Sequence, residues 1–296
     1  MDIQLSILQF FQSIGSPFLN IIFLIFTIST ELPILVLFTA GMYWCINKKY
    51  GQKILFSLVG NIALNTGIKE FVRAPRPIGL EGINSMHTAT ATGYSFPSGH
   101  TQSATTFWIS LMLIFKRSWI YIVGTIMILG VGISRLYLGV HWPIDVVFGW
   151  IIAIIFTVFL GKVFDYIDEN KNYNILLLIL VPFIIVAFLL KSTEYIKMMG
   201  LFTGFIIGYI VEDKFIQFET KNNKNKINFK SKRKNKSRMI INLYRFLIGI
   251  VTLGLVYVGL KYIMPTGYMF DYIRYAVVVF YGIAGAPALF KIFKLN

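Results

Sequence analysis

Residues 119–138, 144–162 and 240–263 are apolar runs close to the roughly 20 residues that an α-helix needs to cross a bilayer. Shorter runs of the same kind recur along the chain. Inside lipid, every backbone N–H and C=O must find its partner within the chain, so segments of this kind are read as helices. The expected fold class is therefore all-α, a polytopic membrane helical bundle. Composition agrees: 14% of the 296 residues are charged and 56% are hydrophobic, where a soluble domain carries roughly 25% charged residues. The single cysteine, Cys45, excludes an intramolecular disulfide and a cysteine metal cluster, and reads as a small core residue. The start, Met1-Asp2-Ile3-Gln4, has no basic n-region, so no removable signal peptide is expected.

Residues 2–14 alternate Ile, Leu and Phe with polar positions and suggest a short amphipathic helix on the membrane surface. Residues 17–30 are apolar but short, either a second interfacial helix or the first part of a bent span. Spans are then expected over 32–46, 54–72, 99–115, 119–138, 144–162, 175–190, 198–211, 240–263 and 272–292. Residues 212–238 hold ten Lys or Arg against three acids, without apolar periodicity, and read as a flexible loop. Loops 47–53, 116–118, 162–174 and 212–238 and the Lys291/Lys294 tail fall on one side and hold most of the free basic charge. That side is expected to be cytoplasmic. The net charge of +15 then reports loops against anionic lipid rather than nucleic acid, because lysines without interleaved aromatics make a poor surface for bases.

The polar loops 73–97 and 139–144 share the opposite, outward side, and three clusters meet there. In Lys69-Glu70-Phe71-Val72-Arg73-Ala74-Pro75-Arg76-Pro77, Lys69 and Arg73 are four apart on one helix face and Arg76 follows the helix end. These cations suit phosphate oxygens, or else snorkel at a membrane boundary. In Pro97-Ser98-Gly99-His100, Pro97 can open a helix whose free N–H groups attract an anion, Gly99 allows close approach, and His100 can move a proton. An ordinary loop-to-helix turn fits the same residues. In the third cluster, Arg135 sits near a span end, and Asp145 follows His141 by four, about one helical turn. There a carboxylate fixes the imidazole tautomer and frees the other nitrogen to attack, or Asp145 merely caps a helix. Only three histidines exist in the chain, and two of them stand at span ends beside three cations. That convergence describes a phosphoryl-transfer site working through a phosphohistidine, needing no metal and no cofactor.

Lys69-x6-Arg76-Pro77, Pro97-Ser98-Gly99-His100 and Ser134-Arg135-x5-His141-x3-Asp145 together resemble the three-part signature of the type 2 phosphatidic acid phosphatase family, the lipid phosphate phosphatase and vanadium haloperoxidase superfamily. The resemblance implies a six-helix phosphatase core with its site on the outer face. By the same analogy His141 is the nucleophile, Asp145 its orienting partner and His100 the general acid. Lys69, Arg76 and Arg135 hold the phosphate with Ser98 and the Gly99 N–H. Arg73 lies outside the signature as a possible auxiliary cation, and His87 reads as a solvated loop residue. Tyr94 and Trp142 suit interface packing. The segments are then an interfacial stretch 1–30, a core 31–212, a basic cytoplasmic loop 213–238 and two additional C-terminal spans in 239–296. That eight- or nine-span layout is similar to the glucose-6-phosphatase branch. The implied activity is hydrolysis of a lipid phosphate or polyprenyl diphosphate in a plasma membrane, with membrane lipids as partners. A soluble sugar phosphate as substrate, or a non-catalytic lipid-phosphate binder or transporter, is the alternative.

Overall fold

The computed structural model describes residues 2–220 and 232–295; residues 221–231, the middle of the expected basic loop, lie outside the described residues. Eleven helices carry the described residues: α1 (Asp2–Ser13), α2 (Pro17–Ile28), α3 (Leu32–Ile46), α4 (Lys48–Val72), α5 (Gly99–Phe115), α6 (Ser118–Tyr137), α7 (Pro143–Asn170), α8 (Asn174–Leu190), α9 (Thr193–Ile216), α10 (Lys232–Ile263) and α11 (Tyr268–Ile292). The all-helical class is as expected, and no strand occurs among the described residues.

Five helices are long and apolar enough to cross a bilayer, α6, α7, α9, α10 and α11; α1 and α2, bent by 118°, make a sixth if taken as one span. The expected count was higher. α3 and α8 are shorter apolar helices. α4 falls out of the set, and α5, which at 17 residues is as short as α8, falls out of both groups, because their sequences are diluted by Gln52, Ser57, Asn61, Asn65, Gln102, Thr105, Thr106 and Ser110, all buried. The expected 162–174 loop is also largely helix, because α7 runs to Asn170 and places Asp165 and Asp168 against Lys53 and Lys49.

Packing divides the chain into two compact units, residues 1–35 with 60–164 and residues 36–59 with 165–296. In the first unit, α5 lies along α6 and α2 packs on α6. Buried Leu8, Ile83, Leu136 and Val146 form one cluster and Tyr137, Leu138 and Val140 another. Within this unit runs a chain of amides. Asn65 Nδ2 donates to Gln102 Oε1 (2.7 Å), Gln102 Nε2 to Asn61 Oδ1 (3.2 Å) and Asn61 Nδ2 to Thr157 Oγ1 (3.2 Å). This ladder ties α4, α5 and α7 together by hydrogen bonds that lipid could not supply.

The second unit is built around α9 against α11. Gly200 and Gly204 face the Tyr272 and Ala276 backbone so closely that a Cβ on Gly204 would lie 2.2 Å from the Ala276 carbonyl oxygen. Small residues let two membrane helices approach to this distance. Buried Glu212 is satisfied by Lys48 (2.7 Å), Gln52 (3.1 Å) and the Phe218 N–H (2.8 Å).

Candidate active site

Every residue of the three clusters lies in the first unit, at the ends of α4–α7 that carry the 73–98 and 138–142 loops. The shorter of these loops turns at Gly139, whose φ is +64°. A side chain there would be strained by the backbone and would put its Cβ 2.7 Å from Gln12 Nε2. The longer loop is tied to it: Met86 N–H donates to the Leu138 carbonyl (3.0 Å), the Ser85 hydroxyl to Gly139 (2.8 Å), and Trp142 Nε1–H to Pro75 (3.0 Å).

α7 starts at Pro143, suited to the first helical position because it has no N–H to lose. Asp145, in the first turn, reaches back so that its Oδ2 accepts the Trp142 N–H (2.8 Å). The same oxygen faces His141 Nδ1 at 3.2 Å. Asp145 Oδ2 therefore caps the helix and lies within hydrogen-bond reach of the imidazole at once. Against a carboxylate oxygen Nδ1 carries the proton, which leaves the lone pair on Nε2. Nε2 in turn accepts from Arg76 Nη1 at 2.9 Å. His141 is fully buried. Burial first, then the charges of Lys69, Arg76 and Arg135, hold its pKa well below the ordinary histidine value, so the ring is neutral.

Arg76 stands past the end of α4 as expected, and its fork is fully engaged. It donates to the carbonyls of Gly93 (3.0 Å), Thr92 (2.8 Å), Tyr94 (3.2 Å) and Val140 (2.9 Å) besides His141. Lys69, on the last turn of α4, donates to the Tyr94 carbonyl and to that of Ser95 (3.1 Å). Arg135, at the end of α6, is fully buried. Its Nη1 bonds Thr27 Oγ1 (2.6 Å), while Nε and Nη2 have no partner among the described residues. An unpaired buried guanidinium edge is costly and has the two-pronged shape that matches an anion.

α5 opens at Gly99, two residues later than Pro97, with Ser98 as its N-cap. The Ser98 hydroxyl accepts from Thr101 Oγ1 (2.9 Å), and its N–H donates to the Asp145 carbonyl (3.0 Å). Ser98 is thus occupied as a cap that ties α5 to α7, and the Gly99 N–H is the first free donor of the helix. His100 follows in the first turn, half-buried, with no side-chain hydrogen bond among the described residues.

Two sequence readings change. Helix α4 stops at Val72, and Arg73 takes a left-handed conformation (φ 54°) with its Nε on the Glu70 carbonyl (2.9 Å). The four-residue face shared with Lys69 is broken there, and exposed Arg73 is a helix cap. His87 is not simply solvated: its Nε2 meets Glu31 Oε1 at 2.7 Å. Ser95 went unread. It is buried, and its hydroxyl makes a short hydrogen bond to Asp145 Oδ2. A loop serine carries no periodic signal; its only clue was its place three residues before Ser98. Among the described residues no three His, Cys, Asp or Glu side chains come together as a metal site requires.

Residues 51–169 match the PAP2 superfamily, and residues 196–296 match the family described as PAP2 superfamily phosphatase, transmembrane extension. The chain is 34% identical over 106 residues to the undecaprenyl-diphosphatase of Sulfolobus acidocaldarius, covering 36% of this chain and 51% of that one. It is 30% identical over 152 residues to phosphatidylglycerophosphatase B of Bacillus subtilis, covering 48% of this chain and 70% of the relative. With sphingosine-1-phosphate phosphatase 1 of Mus musculus it shares 28% identity over 170 residues, 54% of this chain and 39% of that one. The chain thus spans about half the length of the first of these relatives.

Proposed function

This chain belongs to the PAP2 superfamily of membrane phosphatases, and from that premise we propose that it removes a terminal phosphate from a lipid phosphate or polyprenyl diphosphate through a phosphohistidine. The observation that carries this reading is the neutral His141, oriented by Asp145, together with the buried, unpartnered edge of Arg135. The phosphate oxygens take that edge and the Gly99 N–H. Arg76 turns its fork from His141 Nε2 to the phosphate, and Lys69 joins it. His141 Nε2 attacks phosphorus as the bond to the leaving oxygen breaks, and His100, protonated once the negative phosphate has arrived beside it, gives that oxygen its proton. Asp145 stabilises the imidazolium that forms. Water, deprotonated by His100, then attacks the phosphorus, the P–N bond breaks, and phosphate leaves. The cations stabilise the charge on the transferring group at both stages.

The relatives act, by their names, on undecaprenyl diphosphate, phosphatidylglycerol phosphate and sphingosine 1-phosphate. These share a phosphate on an amphiphile, and we take that as the substrate class. The excess of basic charge in the opposite loops supports a site on the extracytoplasmic face of the plasma membrane.

The test is phosphate release by the purified protein in detergent with EDTA, on those three lipids, phosphatidic acid and glucose 6-phosphate, beside His141→Ala. Release from a lipid that the variant abolishes supports the reading. Preference for glucose 6-phosphate makes the chain a sugar phosphatase, and equal release by the variant removes the histidine mechanism. For orientation, Glu81→Cys in a Cys45→Ala background is labelled with an impermeant maleimide. Labelling only after permeabilisation reverses the assignment.

A further inference from the structure

The unpaired edge of Arg135 has a determinate direction, and a residue more than a hundred positions away sets it. The guanidinium carries five N–H groups, two on each Nη and one on Nε. Nη1 is taken by Thr27 Oγ1 at 2.6 Å, and the Ser134 hydroxyl approaches the same oxygen at 3.3 Å. What remains is Nε with Nη2, the edge whose two parallel N–H bonds fit two oxygens of one anion. Thr27 is completely buried and stands in the last turn of α2, which the sequence reads as interfacial or as part of a bent span.

α2 and the α1 that leads into it are held in place by polar contacts rather than by apolar packing alone. The Tyr137 hydroxyl donates to Asn20 Oδ1 (2.5 Å) and accepts the Ser16 N–H (3.2 Å). The Gln12 side chain grips Asn84 through both its N–H (2.8 Å) and its carbonyl (2.9 Å). A helix needed only to cover apolar surface has no use for such register-specific bonds.

We propose that Thr27 is a positioning residue of the phosphate site: by accepting from Nη1 it presents the Nε/Nη2 edge of Arg135 to the substrate phosphate. The bent α1–α2 pair is then part of the site's framework. The inference rests on the reading of Arg135 as a phosphate holder.

Inorganic phosphate is the probe, and the readout is the rise in melting temperature of the detergent-solubilised full chain as phosphate is titrated in. Thr27→Val keeps the shape and removes the acceptor; it should raise the apparent Kd for phosphate about tenfold, the scale of one hydrogen bond to a charged group. Thr27→Ser keeps the acceptor and should restore wild-type binding. If the Val variant fails to fold, Thr27→Ala takes its place in the same titration. A Val or Ala variant that binds phosphate like wild type overturns the inference while leaving the anion site intact. Equal weakening in Ser and Val overturns it too, since the methyl group would then be what matters. Wild-type protein that gains nothing from phosphate overturns both the anion site and the role of Thr27.

Discussion

Replacing Ser95 with alanine isolates one of three hydrogen bonds that converge on a single carboxylate oxygen. Asp145 Oδ2 accepts from the Ser95 hydroxyl, from the Trp142 N–H at 2.8 Å and from His141 Nδ1 at 3.2 Å. A hydrogen bond to a charged group contributes about 1.5–3 kcal/mol. With two donors left and the carboxylate fixed in the first turn of α7, the lower end applies, about 1.5 kcal/mol. If it is expressed fully in the transition state, where Asp145 faces an imidazolium, kcat falls about tenfold. KM should hardly move, because Lys69 binds the Ser95 and Tyr94 carbonyls, which the substitution keeps. Asp145→Asn removes the charge itself and should reduce kcat on the order of a thousandfold or more, as loss of the orienting carboxylate does in catalytic triads. The assay is steady-state phosphate release on the best lipid substrate, with melting temperatures of all three proteins as the control. A Ser95→Ala enzyme within twofold of wild-type kcat would refute the reasoning. So would one as slow as Asp145→Asn, since Ser95 would then do more than support its neighbour.

Burial and three nearby cations depress the His141 pKa, so the folded protein protonates this ring less readily than a free histidine. In ¹⁵N-histidine-labelled protein, assigned by the signal lost in His141→Ala, the ring should stay neutral as pH falls through about 6.5; protonation at or above that value contradicts the site's electrostatics. Arg76 and Arg73 offer a matched pair of substitutions. Arg76→Lys discards a fork that makes five bonds, and kcat/KM should drop on the order of 100-fold. Arg73→Ala removes an exposed helix cap and should stay within about threefold of wild type; a large loss there would return Arg73 to the site.

Much of the site was legible because its residues sit where helices end. Lys69, His100, Arg135 and His141 flank apolar runs, and alternating crossings bring the end of α4, the start of α5, the end of α6 and the start of α7 to one face. What stayed hidden is whatever depends on local backbone detail or on long-range packing. The left-handed backbone at Arg73 turned its side chain away from the face of Lys69. The start of α5 at Gly99 gives Ser98 the further role of a helix cap. Thr27 reaches Arg135 from a different helix; it is the one polar residue in the run Ile21–Ile28, but its spacing from Arg135 along the chain gives no sign that the two meet. Ser95 depends on the path of an irregular loop.

Two helices that hydropathy reports least clearly carry part of the candidate site. α4 and α5 fall outside the set of apolar spans, yet between them they present Lys69, Gly99 and His100 and form the Asn65–Gln102–Asn61 ladder. The two facts have one cause. A cation and a helix N-terminus that must keep their positions while a phosphate arrives and leaves need rigid polar support beneath them, and lipid offers no hydrogen bonds. Such support belongs on helices turned inward, where each amide meets another, and every polar residue placed there lowers the helix's mean hydropathy. On the proposed reading, low hydropathy in α4 and α5 follows from supporting the candidate site, while α6 and α7 carry Arg135 and Asp145 at the ends of sequences that announce a membrane plainly.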